Sequence, residues 1–103
     1  MGKKQTLGII VNSNRYFSFV MKLADAAMGS GKQVRIHLLG SGWEFIKTDA
    51  CKRLSRLTRM SLCVSSVPES VLPQLKKIEP GISLVAPHAL SVLLKDCYRY
   101  VVF

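Results

Sequence analysis

Residues 6–42 read TLGIIVNSNRYFSFVMKLADAAMGSGKQVRIHLLGSG, and the fold turns on how that stretch divides. Thr6 to Val11 is a short apolar run of the kind that forms a strand buried on both faces. Asn12-Ser13-Asn14 follows as a turn and helix-capping cluster. Arg15 to about Met28 repeats its apolar residues with helical period, and Gly29-Ser30-Gly31 ends that helix. Gln33 to Leu39 is a second strand, broken by Gly40-Ser41-Gly42. Strand, helix and strand joined by short connections is the unit from which parallel sheets are built.

The same alternation continues outward. A second helix is expected from about Trp43 to Leu57, and a third strand from Met60 to Val64. Ser66 and Glu69 have capping-box spacing, and Pro68 suits a first helical turn, so a third helix should begin there and run to about Ile78. Glu79-Pro80-Gly81 is a turn, Ile82 to Val85 a fourth strand, Pro87 to about Lys95 a last helix and Tyr98 to Phe103 a terminal strand. The pattern predicts one α/β domain over residues 1–103, three layers deep, with a mainly parallel sheet of about five strands. Ligands on such sheets bind beyond the carboxyl ends of the strands. That rule selects Asn12, Asn14 and Arg15, then Gly40 and Gly42, then Cys63, Ser65 and Ser66, and last His88 as candidate site residues.

Composition narrows the function classes. The chain has 103 residues, 49% of them hydrophobic and 20% charged, enough to bury a core without metals or disulfides. Fifteen Lys and Arg against 6 Asp and Glu give a net charge of +9, which favours anionic partners. The densest basic stretch is Lys47, Lys52, Arg53, Arg56 and Arg59; no aromatic residue interleaves with it, so the stacking platform of a single-strand nucleic-acid binder is missing. Cys51, Cys63 and Cys97 are widely spaced, with neither C-x-x-C spacing nor a zinc-ligand pattern. With no signal-peptide pattern and no apolar run near the ~20 residues of a membrane span, a reduced cytoplasmic setting is expected, away from membranes.

Several familiar chemistries fail. Gly29-Ser30-Gly31-Lys32 is not a phosphate loop, because Ala26 stands where the motif's first Gly belongs. No G-x-G-x-x-G follows the first strand, and no paired carboxylates suit metal or glycosidase work, so no cofactor and no metal is called for. What survives is Cys63. A thiol at the carboxyl end of a strand, just before a helix amino terminus, is biased toward thiolate. Arg15 and His88 are expected to add positive charge or a proton acceptor, and the backbone N–H groups after Cys63 to hold an anionic sulfur species. Such a cysteine is suited to carrying sulfur as a persulfide or to reacting with a small electrophile. The same position also suits a small core residue.

The first helix carries a second signal. At 100° per residue, Tyr16, Phe17, Phe19, Val20, Met21, Leu23, Ala24, Ala26, Ala27 and Met28 cover an arc of roughly 220°, where sheet packing needs about 100°. The excess predicts an interface between subunits.

Four segments together resemble the DsrE/DsrF-like sulfur-relay family. They are the strand Leu7 to Asn12 leading into Leu23-Ala24-Asp25-Ala26-Ala27, the strand Val34 to Leu39 ending in Gly40-Ser41-Gly42, the cysteine-bearing Leu62-Cys63-Val64-Ser65-Ser66, and the ending Leu90 to Phe103. The resemblance implies a three-layer α/β/α fold, homo-oligomers or hetero-oligomers with related subunits, and persulfide transfer through Cys63 between sulfur donor and acceptor proteins, in the manner of a sulfurtransferase. Pro68-Glu69 departs from the basic residue and Gly that often follow an active cysteine in that family. Two other readings therefore stay open: a non-catalytic subunit of an assembly, and an anion- or nucleic-acid-binding module.

Overall fold

A computed structural model describes residues 5–78 and 81–103. Five strands form one sheet: β1 (Thr6–Val11), β2 (Gln33–Leu38), β3 (Arg59–Cys63), β4 (Ile82–Val85) and β5 (Arg99–Val102). Their order is β4-β3-β2-β1-β5 and every pairing is parallel. The helices are α1 (Phe17–Gly29), α2 (Asp49–Leu57), α3 (Leu72–Ile78) and α4 (Ala89–Asp96). The result is the three-layer α/β/α architecture that the alternation predicts, with sides of unequal weight.

One face of the sheet presents Ile9, Val11, Val34, Ile36, Leu38, Met60 and Leu62. Onto it pack Val20, Ala24 and Ala27 of α1, Phe45 and Ile46, Cys51 and Leu54 of α2, and Leu75 of α3. Among the described residues the other face is covered by α4 and the Cys97 that follows it, through Leu93 and Cys97 against Ile10, with Leu39, Leu90 and Leu94 at the margin. Side chains alternate between faces with period two. In β2 and β3 that alternation sends Arg35, His37, Arg59, Ser61 and Cys63 to the thinly covered side. β2 and β3 are therefore apolar on one face and largely polar on the other.

Several local expectations change. The second helix is not continuous over Trp43 to Leu57: Gly40–Lys47 is 3₁₀, and α2 starts only after Thr48, whose hydroxyl accepts from the Cys51 N–H and caps the new helix. The break lets Phe45 and Ile46 enter the core. The third helix begins at Leu72, after turns that link Val71 and Leu72 back to Pro68, so the Ser66–Glu69 capping box does not form. The first begins at Phe17 without a side-chain cap, because Asn14 turns instead to donate to Glu44 at 3.0 Å. The last begins at Ala89 rather than Pro87, and the terminal strand spans Arg99–Val102. Of the turn expected at Glu79-Pro80-Gly81, the first two residues lie outside the described residues.

His37 is a buried ionisable group of this sheet, 1% exposed, with Nδ1 2.7 Å from the Ser61 hydroxyl on the neighbouring strand. Burial, and then the charge of Arg35, holds its pKa below the ordinary 6.5. The unfolded chain therefore takes up a proton at 6.5 that the folded chain refuses, and stability falls as pH drops through that value toward the folded pKa. Urea unfolding followed from pH 7.5 to pH 5 should show this loss. His37→Asn, which keeps a polar partner for Ser61, should flatten the slope; an unchanged slope would assign the acid sensitivity elsewhere.

Candidate functional site

The rim at the carboxyl ends of the strands is laced by short contacts. Gly42 approaches β1 so closely that a Cβ there would overlap the Val11 carbonyl. Gly40 has φ +54, and a Cβ on it would lie 2.6 Å from both the backbone and side-chain oxygens of Asn12. Only glycine meets both demands. Asn12 is in turn fixed by its N–H, which donates to the Phe103 carbonyl at 2.6 Å. The Gly40 N–H donates to the Ser66 hydroxyl at 2.9 Å, tying the end of β2 to the segment after β3.

Cys63 is the last residue of β3. It is followed not by an α-helix but by a 3₁₀ turn of 3 residues, Val64–Ser66, so a full helix dipole does not act on the thiol. The sulfur lies 3.0 Å from the Ser65 hydroxyl. Burial raises the thiol pKa, but the hydroxyls and backbone N–H groups of Ser65 and Ser66 together outweigh it and hold Cys63 below the ordinary thiol value. The Ser66 hydroxyl accepts from the Gly40 N–H, which leaves its own proton free to donate. Stabilisation toward the thiolate thus arises from individual donors close to it.

The site differs from the expectation of an open rim. Cys63 is 5% exposed. It belongs to neither cluster of packed apolar side chains, however, and the hydroxyl nearest its sulfur comes from Ser65, an exposed residue. The sulfur is thus buried, with the Ser65 hydroxyl against it.

Of the residues singled out by the strand-end rule, Asn12, Gly40, Ser65, Ser66 and Cys63 form one connected set, and Gly42 holds the 3₁₀ segment against β1. Asn14 is engaged with Glu44. Arg15 and His88 are exposed, and neither is among the groups that shift the Cys63 thiol, which Ser65 and Ser66 supply. Cys97 behaves oppositely to Cys63: burial pushes its thiol up, the Arg35 charge opposing and Asp96 adding to the rise. Cys51 is wholly buried in the core under α2. None of the three forms a disulfide. Trp43 packs against the core with Lys47 Nζ 4.8 Å from its ring centre rather than lining a pocket with Cys63. Among the described residues no group of three or more His, Cys, Asp and Glu could hold a metal ion.

The strand-end rule missed the His37–Ser61 pair. Its signal is the polar period-two pattern Gln33, Arg35, His37 beside Arg59, Ser61, Cys63. No family model matches the chain, and no curated protein matches it.

The pH dependence of iodoacetamide alkylation, mapped by peptide mass, should give Cys63 an apparent pKa below that of Cys97. Ser66→Ala should raise the Cys63 value by removing one donor. Equal values for the two cysteines, or no response to Ser66→Ala, would remove the serine cradle as the cause.

Proposed function

We propose that this protein is a persulfide carrier that uses Cys63, as its resemblance to DsrE/DsrF-like sulfur-relay proteins implies. The observation that carries the reading is the Ser65 hydroxyl 3.0 Å from one sulfur, in a turn whose Ser65 and Ser66 groups hold that thiol below its ordinary pKa. The Cys63 thiolate attacks the outer sulfur of a donor persulfide, R–S–SH. The donor S–S bond breaks, a new S–S bond forms on Cys63, and the donor leaves as R–S⁻ with no net oxidation. The same groups then hold the terminal sulfur, whose anionic form needs donors as the thiolate does. The reverse attack by an acceptor thiol completes the relay. No further group is required for either step, which suits a protein working between donor and acceptor proteins.

Incubation with a small-molecule persulfide, followed by intact mass and peptide mapping, should place one added sulfur atom on Cys63, and Cys63→Ser should abolish it. Loading on Cys51 or Cys97, with Cys63 unmodified, would overturn the proposal.

We infer also that the working form is an assembly of copies of this chain or of related subunits. The wide apolar arc of α1 is only partly used within the chain: Phe19 is 57% exposed, and Tyr16, also exposed, stacks toward it and toward Phe103. Beside them β5 ends the sheet with Tyr100, Val101 and Val102 all exposed and, among the described residues, no strand on its outer edge. Apolar side chains on a bare strand edge form a template for another chain. No helix among the described residues is long and apolar enough to cross a membrane. Light scattering should give a mass above that of one chain, and Phe19→Glu with Val102→Lys should return it to the single-chain value without unfolding. A monomer in the unmodified protein would end this reading and leave the thiol chemistry untouched.

A further inference from the structure

At the end of the sheet away from Cys63, the starts of β2 and β3 and the end of α2 enclose an open cleft of about 700 Å³. Its charged lining is Lys32, Arg35, Arg56 and Arg59 against a single carboxylate, Asp96. Arg35 and Arg59 are register partners on adjacent strands and so share one face of the sheet. Like charges directly opposite each other destabilise a sheet. Compensation from within the chain is partial. Asp96 Oδ2 accepts from Arg35 Nη1 at 3.2 Å, but Arg35 Nε is buried with no hydrogen-bond partner. Among the described residues Arg56 and Arg59 have no ion pair or hydrogen bond. The other surface arginine of α2, Arg53, is by contrast neutralised by Asp25 through two bonds at 2.9 and 3.0 Å.

We propose that this cleft binds a small phosphorylated anion, with the guanidinium groups of Arg35, Arg56 and Arg59 on the phosphate oxygens and Lys32 completing the charge. Planar guanidinium forks match phosphate oxygens, and several can share one phosphate, whereas a carboxylate is filled by one fork. The volume lies within the range of small-ligand clefts, roughly 300–1,000 Å³. Among the described residues no aromatic side chain lines it, so it offers no stacking surface for the bases of a nucleic-acid strand. The site is independent of the sulfur chemistry of Cys63.

Inorganic pyrophosphate is the probe, titrated calorimetrically and by thermal unfolding against chloride at matched ionic strength. It should bind the unmodified protein and raise its Tm. The double variant Arg56→Gln, Arg59→Gln should bind at least about tenfold more weakly, the loss expected for charge-assisted hydrogen bonds. Without pyrophosphate the same variant should unfold at the same or a higher temperature than the parent, because the repulsion on Arg35 is relieved. A merely structural role for these arginines would lower it. Cys63 alkylation should be unchanged. No binding to the parent protein, equal binding to the variant, or a response to single-stranded or duplex oligonucleotide without a response to pyrophosphate would overturn the proposal.

Discussion

A strand, a covering helix and a parallel neighbouring strand join with one hand, so the direction in which strands are added decides which face each helix covers. Here β2, β3 and β4 are laid down successively on one side of β1, and the chain then returns to place β5 on the other. The first three crossovers put α1, α2 and α3 on one face, and the return puts α4 on the opposite one. Three helices thus shelter one side and a helix of 8 residues shelters the other. Arg35, His37, Arg59 and Ser61 can stand on that thin side because the topology leaves it short of cover. His37 meets Ser61 across the strands, and the arginines reach water at the cleft.

The two ends of the sheet acquire opposite characters from the same geometry. At the carboxyl ends, chain turns bring hydroxyls and N–H groups onto one sulfur, and the glycines at 40 and 42 permit backbone segments to approach where any side chain would intrude. At the amino ends, helix and strand termini bring cations together from Lys32, β2, α2 and β3. Both arrangements favour negative charge, one through neutral donors and the other through net charge. Neither depends on a single residue, as the donors at Cys63 come from two serines and the cations from four segments.

The regular parts of this architecture were legible in the residues. The bounds of β1 and β4 follow from apolar runs and their flanking turns, and the end of α1 from Gly29 to Gly31. Local capping was less legible, because a polar side chain chooses among competing partners. Ser66 takes Gly40, 26 residues away, instead of starting a helix, and Asn14 takes Glu44, 30 residues away. The basic stretch from Lys47 to Arg59 illustrates the same limit. Linear density suggests one patch, but Lys47 stands near Trp43 and Glu44, Arg53 pairs with Asp25, and Arg56 and Arg59 join Lys32 and Arg35 from another part of the chain. Cys63 was identifiable from its place at a strand end, whereas its burial depends on how residues 64–66 fold over it.

The position of β1 in the sheet also shapes how the chain acquires its structure during synthesis. On one side β1 pairs with β2, which follows it closely, but on the other it pairs with β5, which leaves the ribosome only after three intervening strands and all four helices. Until then Ile10 lacks Leu93 and Cys97 above it, and the Asn12 N–H lacks the Phe103 carbonyl. The nascent chain must therefore carry a half-clothed β1 until β5 has emerged. When α4 and β5 dock, these sequence-distant contacts repay the entropy of closing so long a loop.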